Sequence, residues 1–289
     1  MRQEVKWYVC SFFTIVGIIW TLIEAYSFFN TPENRWQDAL ISLLGIFSIA
    51  GAITYLISLY PKAFPPKYSF QIKGTELKIE LVVGDIFKYA GPIIVGTNIN
   101  FITSLDVIDK RSIQGLYTKK FFERTTAIDD MINAQLGVGP HPYGAVARIN
   151  HQSKNAFFCA IAEINPHGKA KGSMPDFLTA LGALWAYLSE KGSNEIYNIP
   201  VLGTGFTGLN ATREEVIHEI VQSFLASLAA SSYCEGLRIV LYKDDVKNRE
   251  IDVKRIAAYI KHNCNYAPQI TNETSDEAGR PISASQVTA

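Results

Sequence analysis

IPVLGTGFTGLNATREE, residues 199–215, decides how this chain is read. An apolar, strand-like run from Ile199 to Leu202 meets three glycines within six residues, Gly203, Gly205 and Gly208, and a charged, helix-like stretch follows. Glycine at the end of a buried strand lets the backbone turn sharply or lets another group approach it closely. GTGFTG fits the dinucleotide pattern GxGxxG in form only. The helical pattern starts near Thr212 rather than within the glycines, and no acidic residue ends a second strand about twenty residues on. What survives is physical. Glycines let backbone N–H groups converge on an anion, and the following helix adds the positive end of its dipole. Thr204 and Thr207 offer hydroxyls, and the Phe206 ring either covers a sugar or fills the core. The alternative is a tight turn with no ligand.

Outward from this loop, strand-like and helix-like patterns alternate. TELKIELVVGD places Leu77, Ile79, Leu81 and Val83 on one face at period two. GPIIVGTN is a short buried strand bounded by glycine, RSIQGLYTKKFFE and TAIDDMINAQL are helical, and YGAVARIN with NAFFCAIAEIN forms a hairpin. In SMPDFLTALGALWAYLSEKG the residues Phe177, Leu181, Leu184, Trp185 and Leu188 share a helical face, with a capping pair at Ser173 and Asp176. Thr212 and Glu215 cap the helix after the glycine loop, GLRIVLYKDD is a further buried strand and DVKRIAAYIKHN a final helix. This alternation predicts an α/β sandwich around a largely buried mixed sheet.

The first sixty residues differ in kind. WYVCSFFTIVGIIWTLIEAYSFF (7–29) and ALISLLGIFSIAGAITYLISLY (39–60) are each long enough, at about 33 Å as helices, to cross a hydrocarbon core of about 30 Å. The second run has no charge and the first only Glu24, and aromatic residues gather at the ends. A signal peptide needs a shorter apolar core and a small-residue cleavage site, and two buried core helices need a shell of partners that the chain does not provide. Residues 1–62 are therefore expected to form a transmembrane hairpin. Lys and Arg flank both runs on their outer sides while the loop NTPENRWQD has no positive excess, which puts both termini in the cytoplasm. Glu24 is either a functional intramembrane carboxylate or a group reaching the interface. PKAFPPKYSF stops the second helix, so 63–75 is a linker, 76–262 the folded domain and 263–289, rich in Thr, Ser, Asn and Gln, a disordered tail.

The formal net charge is zero, which excludes a polybasic nucleic-acid binder. The four cysteines and five histidines are scattered, so neither a metal site nor a disulfide framework is expected, and the thiols read as reduced and buried or incidental. His167, with Lys169 and Lys171, lies in a solvated or ligand-facing loop, and His218 lies at a helix surface.

VVGDIF, then PIIVGTN, then much later IPVLGTGFTGL together resemble the macro domain, a binder of ADP-ribose and related nucleotides, over about residues 76–262. The resemblance implies a three-layer α/β/α fold. It puts the adenine-binding acid at Asp85, with the Ile86 backbone N–H beside it. The diphosphate loop falls on Gly203, Thr204, Gly205, Phe206, Thr207 and Gly208, and a ring that stacks on adenine at Tyr242. Thr97 and Asn98 follow from the second strand, and Ser112, Gln114 and Gly115 open a helix against the distal part of the ligand. Gly96 and Thr97 stand where hydrolytic members carry asparagine and its neighbour, and ITSLDVIDKRSIQGLYTKK replaces their glycine-rich loop. These departures imply a binding module rather than an enzyme. The alternative is a membrane-anchored ADP-ribosyl hydrolase using Asn98 or Asn100, and a third reading is an anchored scaffold whose glycines only make a turn.

A two-span hairpin on such a domain resembles the membrane effectors of Thoeris-type bacterial antiphage defence. That resemblance implies a TIR-domain partner that consumes NAD and makes a signal such as a histidine or imidazole adduct of ADP-ribose. It further implies no cofactor, homo-oligomerisation on binding, contact with membrane lipid and disruption of the inner membrane.

Overall fold

The computed structural model describes residues 13–21, 23–24, 45, 47–55, 66–151, 154–164, 170–203, 209–229, 232–248 and 251–266. The chain divides into two units, Met1–Pro66 and Lys67–Ala289.

In the first unit the described residues 13–21 and 47–55 are helical, and Phe13, Ile18, Trp20, Phe47, Ile49 and Tyr55 stay exposed. Among the described residues no helix is long and apolar enough to cross a membrane. Much of each expected span, including the loop between them, lies outside the described residues.

The second unit is a three-layer α/β/α sandwich. Its strands are β1 (Lys67–Gln71), β2 (Lys78–Val83), β3 (Ile93–Asn98), β4 (Val146–Ile149), β5 (Ala156–Ile164), β6 (Ala170–Lys171), β7 (Ile196–Pro200) and β8 (Gly236–Leu241). Its helices are α1 (Ile113–Phe121), α2 (Thr126–Leu136), α3 (Met174–Lys191), α4 (Arg213–Ser227), α5 (Lys243–Lys247) and α6 (Val253–Tyr266). The sheet runs β1-β2-β8-β7-β3-β5-β4, with β6 paired to β5. The central neighbours β2, β8, β7, β3 and β5 are parallel, and the outer pairs β1–β2 and β4–β5 are antiparallel.

Each face of the sheet packs its own core. On one face Ile79, Leu81, Ile94, Ile199 and Ile239 meet Phe177, Leu184 and Trp185 of α3, Val216, Ile220 and Phe224 of α4, and Ile256 and Ile260 of α6. On the other, Val82, Val95, Phe158 and Val240 meet Tyr117 of α1 and Ile128 and Ile132 of α2. Both faces of a parallel sheet are covered by its crossover helices, so its strands are buried throughout.

Three expectations are corrected at the boundaries. The stretch read as linker contains β1, which the prolines before it obscure; its alternating Tyr68 and Phe70 pack on the core while Lys67, Ser69 and Gln71 stay exposed. β2 is buried on both faces, not one: Glu80 is 3% exposed and Val82 2%. The final helix runs on through Tyr266 because Cys264 still packs on the core, and the rest of the expected tail, from 267, lies outside the described residues.

Candidate functional site

In an open parallel sheet the ligand crevice lies outside the carboxyl ends of the strands. Here four neighbouring strands deliver sequence-predicted residues to that end. β2 ends at Val83 beside Leu241 of β8, and the Gly84 N–H donates to the Leu241 carbonyl at 3.0 Å. Asp85 and Tyr242, which follow these strands, are thereby held side by side although they are far apart in sequence. β7 then leads through the buried Leu202 to Gly203, and β3 ends at Asn98.

Asp85 caps a single 3-10 turn, Ile86–Lys88; its Oδ1 accepts the Phe87 N–H at 3.0 Å. The cap leaves the carboxylate exposed with acceptor capacity to spare. Ile86 is buried, and as the first residue of the turn its N–H is not used by the turn itself. Tyr242 is 60% exposed, so its ring is available for stacking.

The segment from Asp85 to Pro92 is fastened by a buried polar network that periodicity alone did not reveal. The Arg238 Nε donates to Glu80 Oε2 at 2.6 Å, and its Nη1 donates to Asn198 Oδ1 at 3.0 Å and to the Ala90 carbonyl at 3.1 Å. Asn198 Nδ2 donates to the carbonyls of Ala90 and Pro92. Burial pushes the Glu80 carboxyl up, but the Arg238 hydrogen bond and charge, helped by Lys67 and Lys78, outweigh it and hold Glu80 below its ordinary range. The missed signal was the polar trio Glu80, Asn198 and Arg238, one in each of three strands whose other buried residues are apolar.

Gly203 has φ +79°, the left-handed region that glycine alone enters freely, so the chain turns immediately after the buried Leu202. Thr204, Gly205, Phe206, Thr207 and Gly208 lie outside the described residues. The loop re-emerges into α4, where Thr212 and Glu215 close a reciprocal capping box. The Thr212 N–H donates to Glu215 Oε2 at 2.7 Å, and that hydrogen bond holds the Glu215 carboxyl below its usual range. Glu214 and Glu215 stand in the first turn of α4, where carboxylates are favoured by the helix dipole, and Glu214 also pairs with Arg255 of α6.

At the end of β3 the register shifts between Thr97 and Asn98, which face Ala160 and Ala162, so the extra residue, Ile161, bulges the neighbouring β5. Thr97 and Asn98 point to opposite faces. Thr97 is 3% exposed and its hydroxyl has no hydrogen-bond partner among the described residues. Asn98 is occupied: its Oδ1 accepts the N–H groups of Asn100 and Ile102, and its Nδ2 donates to the Ile102 carbonyl. Gln114 Nε2 donates to the same carbonyl at 2.9 Å. Ser112 caps α1, its Oγ accepting the Gly115 N–H at 3.0 Å, and a Cβ on Gly115 would lie 2.5 Å from the Asp109 carbonyl oxygen. Asn98, Ser112, Gln114 and Gly115 thus come together, and what they hold is the segment 99–112 that closes this end of the sheet. Phe101, inside that segment, is buried at φ +50°, a strained conformation for which the sequence gives no local signal.

Cys159, Cys234 and Cys264 are buried free thiols, and burial pushes Cys159 up to about 12. Among the described residues no cluster of His, Cys, Asp and Glu could hold a metal. His167 and Lys169 lie outside the described residues, whereas His218 stacks on Tyr259 at 3.8 Å between α4 and α6.

Solved structures with the same fold include the Oceanobacillus iheyensis macrodomain with MES bound, 17% identical, TM-score 0.50, covering 69% of this chain and 100% of that one. A mutant of the same macrodomain with ADPR is 17% identical, TM-score 0.50, covering 68% of this chain and 100% of that one. No curated protein matches. The family model described as Thoeris protein ThsA, Macro domain, matches residues 79–242, which run from the second residue of β2 to the aromatic that follows β8 and include every candidate site residue named above. The chain therefore belongs to the family of Thoeris ThsA macro domains.

Proposed function

We propose that this chain is a ligand-sensing effector of antiphage defence. Its macro domain binds an ADP-ribose-derived nucleotide, such as the histidine or imidazole adduct made by a TIR-domain enzyme from NAD. The adenine amino group donates to Asp85, the Tyr242 ring stacks on the base and the diphosphate sits on backbone amides of the loop that Gly203 opens. Binding drives self-association, and the apolar runs of residues 1–62 then disrupt the bacterial inner membrane, with both termini in the cytoplasm.

One observation carries the reading. Asp85, Tyr242 and Gly203 follow three adjacent parallel strands at their carboxyl ends, within the span that matches the family. Sensing is favoured over hydrolysis because Asn98, one of the two asparagines a hydrolase would call on to orient a water, spends its amide on folding its own loop. The exposed apolar side chains of the N-terminal helices support contact with lipid.

Calorimetry of the full chain in detergent against ADP-ribose and its histidine and imidazole adducts tests the proposal. Binding of an adduct without turnover is the expected result. No binding of any ADP-ribose derivative removes the reading, and release of ADP-ribose from a modified substrate, lost in Asn98→Ala, replaces it with the hydrolase.

A further inference from the structure

The two edges of the sheet are finished differently. At the β4 edge, Gln135 of α2 occupies both outward backbone groups of Arg148: its Nε2 donates to the Arg148 carbonyl at 2.8 Å and its Oε1 accepts the Arg148 N–H at 2.9 Å. A strand cannot add there without displacing that side chain.

At the β1 edge the hydrogen-bond directions follow from the register. Tyr68 faces Leu81 and Phe70 faces Ile79. The even-numbered residues flanking this part of β2 point to the β8 side, as the Lys78 N–H on the Glu235 carbonyl and the Gly84 N–H on the Leu241 carbonyl require. Ile79 and Leu81 therefore turn to β1. With the Ile72 N–H donating to the Leu77 carbonyl, the inner bonds of β1 belong to Tyr68 and Phe70. The N–H and C=O groups of Lys67, Ser69 and Gln71 point outward. All three residues are exposed, and among the described residues no hydrogen bond reaches those outward groups.

We propose that β1 pairs antiparallel with β1 of a second copy, Ser69 opposite Ser69, joining two sheets into one across a two-fold axis. An open edge is a template for strand addition, and a two-fold pairing requires the surface to complement itself. This strand does. The three outward residues of each copy exchange about six hydrogen bonds. Lys67 falls opposite the partner's Gln71, and Tyr68 opposite the partner's Phe70. A parallel in-register pairing would instead set lysine against lysine, so Lys67 selects the antiparallel register. The two Lys67 residues then stand about 14 Å apart along the ladder. Pro66 precedes each, so the pairing draws together the two points at which residues 1–66 join the sheet. The pairing supplies the self-association step of the proposed function, and in that sense rests on it.

The test uses the full chain in detergent, with and without the histidine adduct of ADP-ribose. Ser69→Cys is expected to give a disulfide-linked dimer on mild oxidation, and Glu190→Cys on the exposed side of α3 is expected to give none. Ser69→Pro removes an outward N–H while leaving the β1–β2 bonds intact, so the chain should become monomeric at an unchanged melting temperature. Gln71→Lys sets a charge opposite the partner's Lys67 and weakens association about tenfold, and adding Lys67→Gln restores it. No cross-link in either arm, or no restoration by the double substitution, overturns the pairing. A cross-linked dimer in a chain that calorimetry finds to bind no ADP-ribose derivative removes the functional reading and leaves the pairing standing; adduct binding without a cross-link does the reverse.

Discussion

At the scale of single residues, Asp85 and Glu80 separate recognition from stability. Both are carboxylates of the β2 region, yet Asp85 is exposed at the strand's carboxyl end and Glu80 is buried against Arg238. Removing the Asp85 charge costs the fold little, because the cap bond to Phe87 is local. Asp85→Asn keeps an oxygen for that cap but loses the charge-assisted bond to an adenine amino group. Such bonds contribute about 1.5–3 kcal/mol, so calorimetry should find affinity for an ADP-ribose adduct lowered about 10- to 100-fold at an unchanged melting temperature. Arg238→Ala should do the opposite. It leaves a buried carboxylate facing only the more distant Lys67 and Lys78, at 3.5 and 3.6 Å, and breaking a buried pair costs about 3–5 kcal/mol. Denaturant unfolding measures that loss. The sign of the pH dependence follows from the folded Glu80 lying below its ordinary value of 4.5. Its stabilisation is fully present above 4.5 and declines as pH falls through the lower folded value. The wild type should therefore lose stability in that acidic window, and a Glu80→Gln, Arg238→Met double variant should lose less of it there.

At the scale of elements, the segment 99–112 is held by four side-chain and backbone arrangements at the start of α1 and the end of β3. A Cβ at Gly115 would meet the Asp109 carbonyl oxygen at 2.5 Å and the Lys110 Cα at 2.9 Å, both backbone atoms that cannot swing aside. Gly115→Ala should push this segment off α1, lowering stability by about 1–3 kcal/mol in thermal unfolding. It should also weaken binding of the adduct more than binding of ADP-ribose itself, if the distal group lies here. Much of the element inventory was legible because caps and periodicity are local. Ser173 and Asp176 start α3 and Thr212 and Glu215 start α4 as their spacing implies. The β4–β5 hairpin follows from two adjacent apolar runs. β1 was not legible, because prolines just before it and an alternation of only five residues read as linker. Nor was the assignment of Asn98: an asparagine after a buried strand reads as a site residue, and only the fold reveals that its amide is spent on Ile102 and Asn100. The order of strands, which sets Asp85 beside Tyr242, depends on pairings between distant segments that no local pattern encodes.

At the scale of the whole molecule, binding and self-association are coupled only if the ligand prefers one state of assembly over another. The proposed nucleotide contacts at the carboxyl ends of β2, β8 and β7 and the proposed pairing along β1 share one element, because β1 is hydrogen-bonded to the same β2 that leads to Asp85. β2 is a short, continuous route between the two, and order imposed on the Asp85 turn is order imposed on the strand that templates β1. Coupling of this kind is reciprocal. If the adduct tightens dimerisation by some factor, the dimer must bind the adduct tighter by the same factor. The Ser69→Cys chain, cross-linked before ligand is added, therefore has a defined expectation. Calorimetry should find its affinity for the adduct raised about 5- to 150-fold over the monomeric Ser69→Pro chain, the range of ordinary allosteric coupling. Adding Asp85→Asn to each chain should lower both affinities and shrink the ratio between them, since the route from nucleotide to β1 begins at the Asp85 turn. Equal affinities in the cross-linked and the monomeric Ser69→Pro chains would mean that the sheet edge assembles independently of the nucleotide, and that any signal reaching residues 1–62 travels by another element.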